Sequence, residues 1–344
     1  MNKLFVGLLL IFAFILTACK PVTAVGNQSV QPTIDGSAIP SATQQMETQS
    51  SLIKPDISPT ETVTIPLVLI DETRIPTENV TELPTAIATN TVRPTLAPEA
   101  WKELPIIPVI GPNVVKIYQR GIELGNNPQS FSKIGDCGST PAWFLGDFDR
   151  GPRFYSLGEY QNLNAVIEAF HGSYSRTSLA AKSGFNASSI FSALWADPKQ
   201  CQSGESPLAC EYRVNRPVIA FIMLGSNDVF HPKEFEPQMR KIIEDSILQG
   251  VIPVLSTKAD NTEGDGSINS TIARLAQEYD IPLWNYWRAV QDLPDKGLQS
   301  DQVHLTWGPN RFDDALTMTR AWPVRNLTAL QTLDAIWRAI APQS

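Results

Sequence analysis

Four short polar segments of the chain lie at predicted strand ends and carry side chains that could do chemistry. They are Gly135-Asp136-Cys137, Ser183-Gly184, Gly225-Ser226-Asn227-Asp228 and Asp301-Gln302-Val303-His304. A histidine three residues after an aspartate can take a proton from a nucleophile while the carboxylate holds its tautomer. Each segment alone is a weak signal, but their order, spacing and location together are a stronger one.

The elements that must position these segments follow an alternating pattern from Trp101 onward. Short apolar runs alternate with amphipathic stretches, which is typical of strand–helix–strand units and a parallel sheet. The run PVIAFIML at 217–224 predicts a central strand covered on both faces. We expect about five parallel strands sandwiched by helices, with the site at the C-terminal ends of the strands. The predicted strands are 132–136, 179–182, 217–224, 251–256 and 281–285, and the predicted helices are 160–170, 234–249, 271–279 and 327–340.

Together, the four segments resemble the sequence blocks of the SGNH (GDSL-type) hydrolases, an esterase and acylhydrolase family. The resemblance covers about residues 131–306 and implies a three-layer α/β/α, flavodoxin-like fold. It places Cys137 at the nucleophile position, with His304 as general base and Asp301 orienting it. It also implies an oxyanion hole made by the backbone N–H groups of Gly184 and Cys137 and the side-chain amide of Asn227. Preorganised donors of this kind are worth roughly 3 kcal/mol each.

The chain departs from the family pattern at Cys137, because the family has Gly-Asp-Ser where this sequence has Gly-Asp-Cys. In one interpretation Cys137 is a true nucleophile, and we expect a helix N-terminus or the neighbouring histidine to lower its pKa. In a second, the larger sulfur leaves the site inert toward esters, and the domain is a binding module. In a third, Ser139 supplies the hydroxyl.

The first 19 residues have the pattern of a bacterial secretion signal, with Lys3 followed by an apolar run that is too short for a spanning helix. Leu16-Thr17-Ala18-Cys19 looks like a lipobox, so we expect Cys19 to be acylated and to hold the protein on the outer side of a bacterial cell membrane. An ordinary signal peptide is the alternative. Residues 20–99 are rich in Pro, Thr and Ser and lack aromatic residues, which predicts a disordered tether. Residues 100–344 then form the SGNH-like domain.

The cysteines of the exported domain favour one disulfide. Cys201 and Cys210 bracket a short segment rich in Gly, Ser and Pro, and we expect them to pair. With Cys19 lipidated, Cys137 is left as an unpaired thiol at a catalytic position. The alternative is that Cys137 pairs with one of the other two.

Composition excludes several function classes. The net charge of −8 without a basic cluster argues against a nucleic-acid partner. The three histidines form no HExxH pair and the four cysteines form no CxxC pair, so we expect no metal site and no cofactor. We interpret the aromatic cluster after Cys137, which includes Trp143, as ordinary packing, and we expect a monomer.

The sequence therefore predicts an extracytoplasmic ester hydrolase or acyltransferase that works through a Cys-His-Asp triad and a thioester. Its substrate would be a small-molecule or glycan ester, since location and family analogy suggest a carbohydrate. The alternative is a non-catalytic surface module that binds a glycan or ester in the same cleft.

Overall fold

A parallel sheet with helices on both faces forms the centre of the computed structural model, which describes residues 96–341. The predicted signal segment with Cys19, and the predicted tether up to residue 95, lie outside the described residues. In chain order the strands are β1 (Asn127–Gly135), β2 (Tyr155–Ser156), β3 (Pro217–Met223), β4 (Ile252–Ser256), β5 (Leu283–Trp284) and β6 (Asn310–Arg311). The main sheet has the order β1-β3-β4-β5, and β2 pairs with β6 in a separate parallel ribbon.

The central strand β3 explains why the sheet is buried. Each of its seven residues is buried, as expected for an apolar strand that is covered on both faces. Its register is parallel to β1 on one side, with Ile222 opposite Ile134, and to β4 on the other, with Ile222 opposite Leu255.

Within residues 96–341, seven α-helices surround the strands. They are α1 (Pro112–Glu123), α2 (Asn164–Ala169), α3 (Pro207–Asn215), α4 (Pro232–Leu248), α5 (Ser267–Tyr279), α6 (Tyr286–Val290) and α7 (Ala321–Ile340). Helices α1 and α7 pack together, as do α4 and α5, and both pairs contact the sheet. The α/β class and the three-layer arrangement are as predicted. No helix within residues 96–341 is long and apolar enough to cross a membrane.

The predicted second strand, at residues 179–182, is reduced to one parallel bridge between Gly135 and Ala181. Side chains occupy the rest of this edge of β1: Ser173 Oγ accepts from the Phe131 N–H at 3.2 Å, and Arg176 donates to the Phe131 carbonyl at 2.7 Å. These contacts satisfy backbone groups that a neighbouring strand would otherwise pair. The main sheet thus has four regular strands rather than about five. If the segment at Ala181, rather than β2, is counted as the second strand, the order is that segment, β1, β3, β4 and β5, which is the 2-1-3-4-5 order of flavodoxin-like folds.

The bounds of several helices also differ from the sequence prediction. Helix α7 begins at Ala321, six residues before the predicted start, and tolerates Pro323 because its first turn needs no donor there. Helices α1, α3 and α6 were not predicted from the sequence. The predicted helix 160–170 is a 3₁₀ turn followed by the six residues of α2.

The predicted disulfide is present between Cys201 and Cys210, whose Cα atoms lie 5.3 Å apart. Cys210 belongs to α3, which begins with Pro207 after the capping Ser206 side chain, so the bracketed segment is partly helical. Cys137 is a free thiol, and the alternative pairing with Cys201 or Cys210 is wrong.

Candidate active site

A cavity of about 490 Å³ opens at the carboxyl ends of β1, β3 and β4. The side chains of Cys137 and His304 line it, together with Gly184 and Asn227. The four polar segments singled out in the sequence therefore meet at one place, although the first and last are more than 160 residues apart.

Cys137 lies at the start of a tight turn that ends β1. The turn is the 3₁₀ helix Cys137–Ser139, and the Asp136 side chain caps it by accepting from the Gly138 N–H at 2.9 Å. Gly135, just before it, has φ of 157°, and a Cβ there would lie 2.3 Å from Ser139 Oγ and 2.5 Å from the Met223 carbonyl oxygen. Only glycine fits this close approach of backbone to backbone.

The Cys137 thiol is half-buried, and its pKa is raised. Burial is the largest cause, the charge of Asp136 adds to it, and the Arg325 guanidinium opposes it. The sequence-based expectation of a lowered thiol pKa is therefore wrong. A three-residue 3₁₀ turn provides two N–H groups near the sulfur, and these lower the pKa by less than desolvation raises it.

His304 and Asp301 form a compact pair on an exposed loop. Asp301 Oδ2 lies 2.6 Å from His304 Nδ1, and Asp301 Oδ1 accepts from the backbone N–H groups of His304 and Val303 at 2.9 and 3.0 Å. These hydrogen bonds lower the pKa of Asp301 to about 2. Because Nδ1 is held by the carboxylate, Nε2 is the ring nitrogen left for a proton from another group. No hydrogen bond joins His304 to Cys137 within residues 96–341.

Asp228 ties together the two loops that carry the predicted oxyanion donors. Its carboxylate is buried and accepts from Gly225 N–H at 3.0 Å and from Ala187 N–H at 2.8 Å. Asn227 reinforces the link, since its Nδ2 donates to the Phe185 carbonyl at 2.9 Å and keeps a second N–H. Gly184 has φ of 82°, so the turn beneath it also depends on glycine.

Arg325 of α7 is a cavity residue that sequence reasoning missed. Its Nη1 donates to the Gly138 carbonyl at 2.8 Å, and its guanidinium lies 5.0–5.6 Å from the ring centroids of Phe144, Trp322 and Tyr286. Burial lowers its pKa, whereas Asp136 and the Cys137 thiol oppose that shift. An arginine within a run of otherwise mostly apolar residues in α7 was the available signal.

A second missed group is an ion cluster of which Lys258 and Asp260 line the cavity. Lys258 Nζ lies 2.6 Å from Asp260 Oδ1 and 2.5 Å from Glu263 Oε2, and all three side chains are buried. Ser226 Oγ donates to Asp260 Oδ2 at 2.6 Å. These hydrogen bonds offset part of the cost of taking the three charges out of water.

Ser139 and the aromatic cluster after Cys137 differ in their position relative to the cavity. Ser139 is fully buried beneath the strand end and does not line the cavity, so its hydroxyl is not positioned to meet a substrate. In the aromatic cluster, Phe144 and Phe148 are core residues, as the packing interpretation expects. Trp143 differs, because it is 45% exposed and lines the cavity.

The chain was compared with known proteins. No protein-family profile matches it, and no curated protein matches it. It is similar in structure to a GDSL-like lipase from Bacteroides thetaiotaomicron, at 13% identity over 64% of this chain and 98% of the lipase, with a TM-score of 0.37. A catalytic mutant of an acetylxylan esterase from Geobacillus stearothermophilus gives 14% identity over 59% of this chain and 93% of the esterase, also with a TM-score of 0.37. A further acetyl xylan esterase gives 16% identity over 61% and 99% of the two chains and the same TM-score.

Proposed function

We propose that this chain is an ester hydrolase or acyltransferase that uses Cys137 as its nucleophile. The observation that carries the proposal is that one cavity is lined by Cys137, His304, Gly184 and Asn227. Asp301 is hydrogen-bonded to Nδ1 of His304, which leaves Nε2 for the nucleophile. Such a set contains a nucleophile, a base, a group that orients the base, and donors for an oxyanion.

In the first half of the reaction, Cys137 Sγ attacks the ester carbonyl carbon while its proton passes to His304 Nε2. Asp301 holds the ring through Nδ1 and stabilises the imidazolium that forms. The carbonyl oxygen becomes an oxyanion, which the N–H groups of Cys137, Gly184 and the Asn227 amide would stabilise. The C–O bond then breaks, and the alcohol leaves with the proton from His304.

In the second half, His304 takes a proton from water or from an acceptor hydroxyl, and that oxygen attacks the thioester. The acid or the new ester is released, and the proton returns to Cys137. The two half-reactions need no metal ion or cofactor. We place the reaction outside the cytoplasm, on a membrane reached through acylated Cys19, because the lipobox-like segment and the Pro/Thr/Ser-rich residues after it favour an anchored, extended protein. A carbohydrate ester is the substrate that suits this location.

A binding module is the second candidate, and the raised pKa of Cys137 favours it. A thiol that is protonated near neutral pH is a weaker nucleophile than a thiolate. The same cavity could then hold an ester or glycan without turning it over.

Rapid-quench mass spectrometry separates the two candidates. The full-length protein is mixed with p-nitrophenyl acetate, quenched in acid within seconds and weighed intact. The enzyme proposal predicts a single added acetyl group, absent in Cys137→Ala and formed on the order of 10² to 10⁴ times more slowly in His304→Ala.

The matched control is His171→Ala, which removes a histidine outside the cavity lining and is expected to acylate at the wild-type rate. If the folded wild-type protein gains no acetyl group and releases no nitrophenol, the enzyme proposal fails for simple esters and the binding module stands.

A further inference from the structure

A second cavity, of about 320 Å³, adjoins the candidate active site. Trp143 and Trp322 line both cavities, so one wall is shared. The two indole rings are stacked, with centroids 5.5 Å apart and planes inclined by 23°. Trp322 is buried and Trp143 is 45% exposed, so a ligand that contacts the exposed part of Trp143 lies at the wall shared by both cavities.

The second cavity is built from the same two loops that carry the reactive side chains. One wall comes from residues 142–154, which follow the turn of Cys137, and another from residues 307–311, which follow His304. The pairing of β2 with β6 joins these loops, since Tyr155 lies opposite Asn310 and Ser156 opposite Arg311. The position of the second cavity relative to the first is therefore fixed by backbone hydrogen bonds.

The lining of this cavity carries a surplus of positive charge. Arg150, Arg153 and Arg311 line it together with one carboxylate, Asp147. Both oxygens of that carboxylate are in use, one 2.9 Å from Arg150 Nη1 and the other accepting from Asn310 Nδ2 at 3.0 Å. Arg153 pairs with no carboxylate within residues 96–341, and the ion pair of Arg311 with Asp313 is long, at 3.6 Å, and exposed. A local cationic site in a chain of net charge −8 is suited to an anionic ligand.

Aromatic faces stand beside these arginines. Trp307 is 64% exposed and Trp143 is 45% exposed, so part of each indole ring is open to a ligand. The Arg150 and Arg153 guanidinium carbons lie 3.6 and 4.7 Å from the centroid of the Phe154 ring, which orients both groups. A ligand that satisfies these features has a flat, weakly polar face for the indoles and a negative charge for the guanidiniums. A sugar ring that bears a carboxylate or phosphate has both.

We propose that this arginine-lined cavity binds an anionic sugar residue of a glycan, while a neighbouring acylated residue of the same glycan lies at Cys137. The part of this statement that concerns Cys137 rests on the proposed function. The planar guanidiniums suit carboxylate and phosphate oxygens, because each can donate two parallel hydrogen bonds. The substrate class is thereby narrowed from glycan esters in general to esters of acidic glycans.

Binding measurements on full-length Cys137→Ala protein, which cannot form the thioester, test this directly. Isothermal titration with trigalacturonate is compared with its fully methyl-esterified form, which has the same size without the charge. We expect the charged trimer to bind at least tenfold more tightly and to weaken as salt is added. Adding Arg153→Gln and Arg311→Gln is expected to remove that preference, and adding Arg338→Gln, outside both cavities, is expected to leave it intact. Glucose 6-phosphate against glucose shows whether phosphate serves as well as carboxylate, and a preference for either anion supports the proposal.

The proposal would be overturned if neither the trimer pair nor the glucose pair shows a preference for the charged form, including the case of no binding at all. It would also be overturned if a charge preference survives the double arginine substitution in a variant with an unchanged melting temperature. This failure is distinct from failure of the proposed function. The latter appears as the absence of an acetyl adduct on the wild-type protein, whatever the sugars do.

Discussion

At the scale of single residues, the replacement of the expected serine by Cys137 shapes the site. A thiol needs no strong base once ionised, but here burial and the Asp136 carboxylate keep it protonated to a higher pH. The nearby cation, Arg325, acts in the opposite direction and also holds the Gly138 carbonyl beside the thiol. The pKa of Cys137 is thus raised by desolvation and by the charge of Asp136, and the charge of Arg325 opposes both.

This balance predicts the pH dependence of thiol alkylation. The iodoacetamide rate of Cys137 should rise to its plateau at a higher pH than that of a free cysteine, because the pKa is raised. Asp136→Asn keeps the acceptor for Gly138 N–H but removes the charge, so its profile should shift to lower pH. The measurement is alkylation at Cys137 followed by mass spectrometry from pH 6 to 10.

Ser139→Ala is the control, since it alters the same turn without changing a charge. The raised pKa would be contradicted if the alkylation rate of the wild-type protein reached its plateau at a lower pH than that of free cysteine. An Asp136→Asn profile shifted to higher pH would contradict the role of the carboxylate.

At the scale of elements, the site depends on loops that follow β1 and β3 and the bridge at Ala181. Parallel strands bring their carboxyl ends to one edge, so segments that are distant in sequence converge there. Asp228 then fixes the register between two of these loops through the N–H groups of Gly225 and Ala187. The Lys258–Asp260–Glu263 cluster secures the next loop along the sheet.

Removing the Asp228 bridge should cost both stability and activity. Asp228→Ala leaves two N–H groups without their acceptor, and we expect a loss of about 3 kcal/mol in the free energy of unfolding. The acylation rate should fall as well, because Asn227 and Gly184 lose their mutual positioning. Urea unfolding and the acetyl-adduct rate measure the two effects.

Asp197→Ala provides the comparison, because Asp197 also accepts from a backbone N–H, that of Lys199, but at the surface. Its stability change is expected to be smaller and its acylation rate unchanged. Equal stability losses in the two variants would contradict the bridging role of Asp228.

At the scale of the whole molecule, β1 carries an ionisable group into the core. Lys133 is fully buried, and its Nζ donates to the Tyr174 carbonyl at 2.6 Å. Burial, followed by the charge of Arg176, lowers its pKa from 10.5 to about 7. Ser132 beside it is buried as well and donates to Glu211 at 2.5 Å. The core of this domain is therefore sensitive to pH.

Because the pKa of Lys133 is lowered to about 7, we expect the folded domain to gain stability as the pH rises from about 7 to about 10. Across this window the unfolded chain holds a proton on Lys133 that the folded chain lacks, so the free energy of unfolding increases by up to ~1.4 kcal/mol per pH unit. Below about pH 7 both states hold the proton, and this dependence ends. Urea unfolding at a series of pH values, in wild type and Lys133→Met, measures it.

The slope, rather than the absolute stability, is the test, because Lys133→Met also leaves the Tyr174 carbonyl without its donor. Lys199→Met, at an exposed position, should keep the wild-type slope. The prediction is wrong if Lys133→Met and wild type show the same slope between pH 7 and pH 10.

The sequence by itself determined the features that are written in local patterns. Apolar runs located β3 and β4, a short Cys–Cys spacing in a predicted exported protein gave the disulfide, and four polar segments predicted which loops meet. These succeed because strand periodicity and strand-end geometry depend on neighbours in the chain. The roles of Cys137, His304, Asp301, Gly184 and Asn227 stay predictions for the experiments above.

Only the tertiary structure decided the features that depend on what packs against a residue from afar. Arg176 and Ser173 occupy the edge of β1 where a second strand was expected, and burial raises the thiol pKa that a local argument expected to be lowered. Arg325 and Trp322 reach the active-site cavity from α7, more than 180 residues after Cys137. Desolvation and charge act through space, and the segments that supply them are set by the fold rather than by sequence spacing.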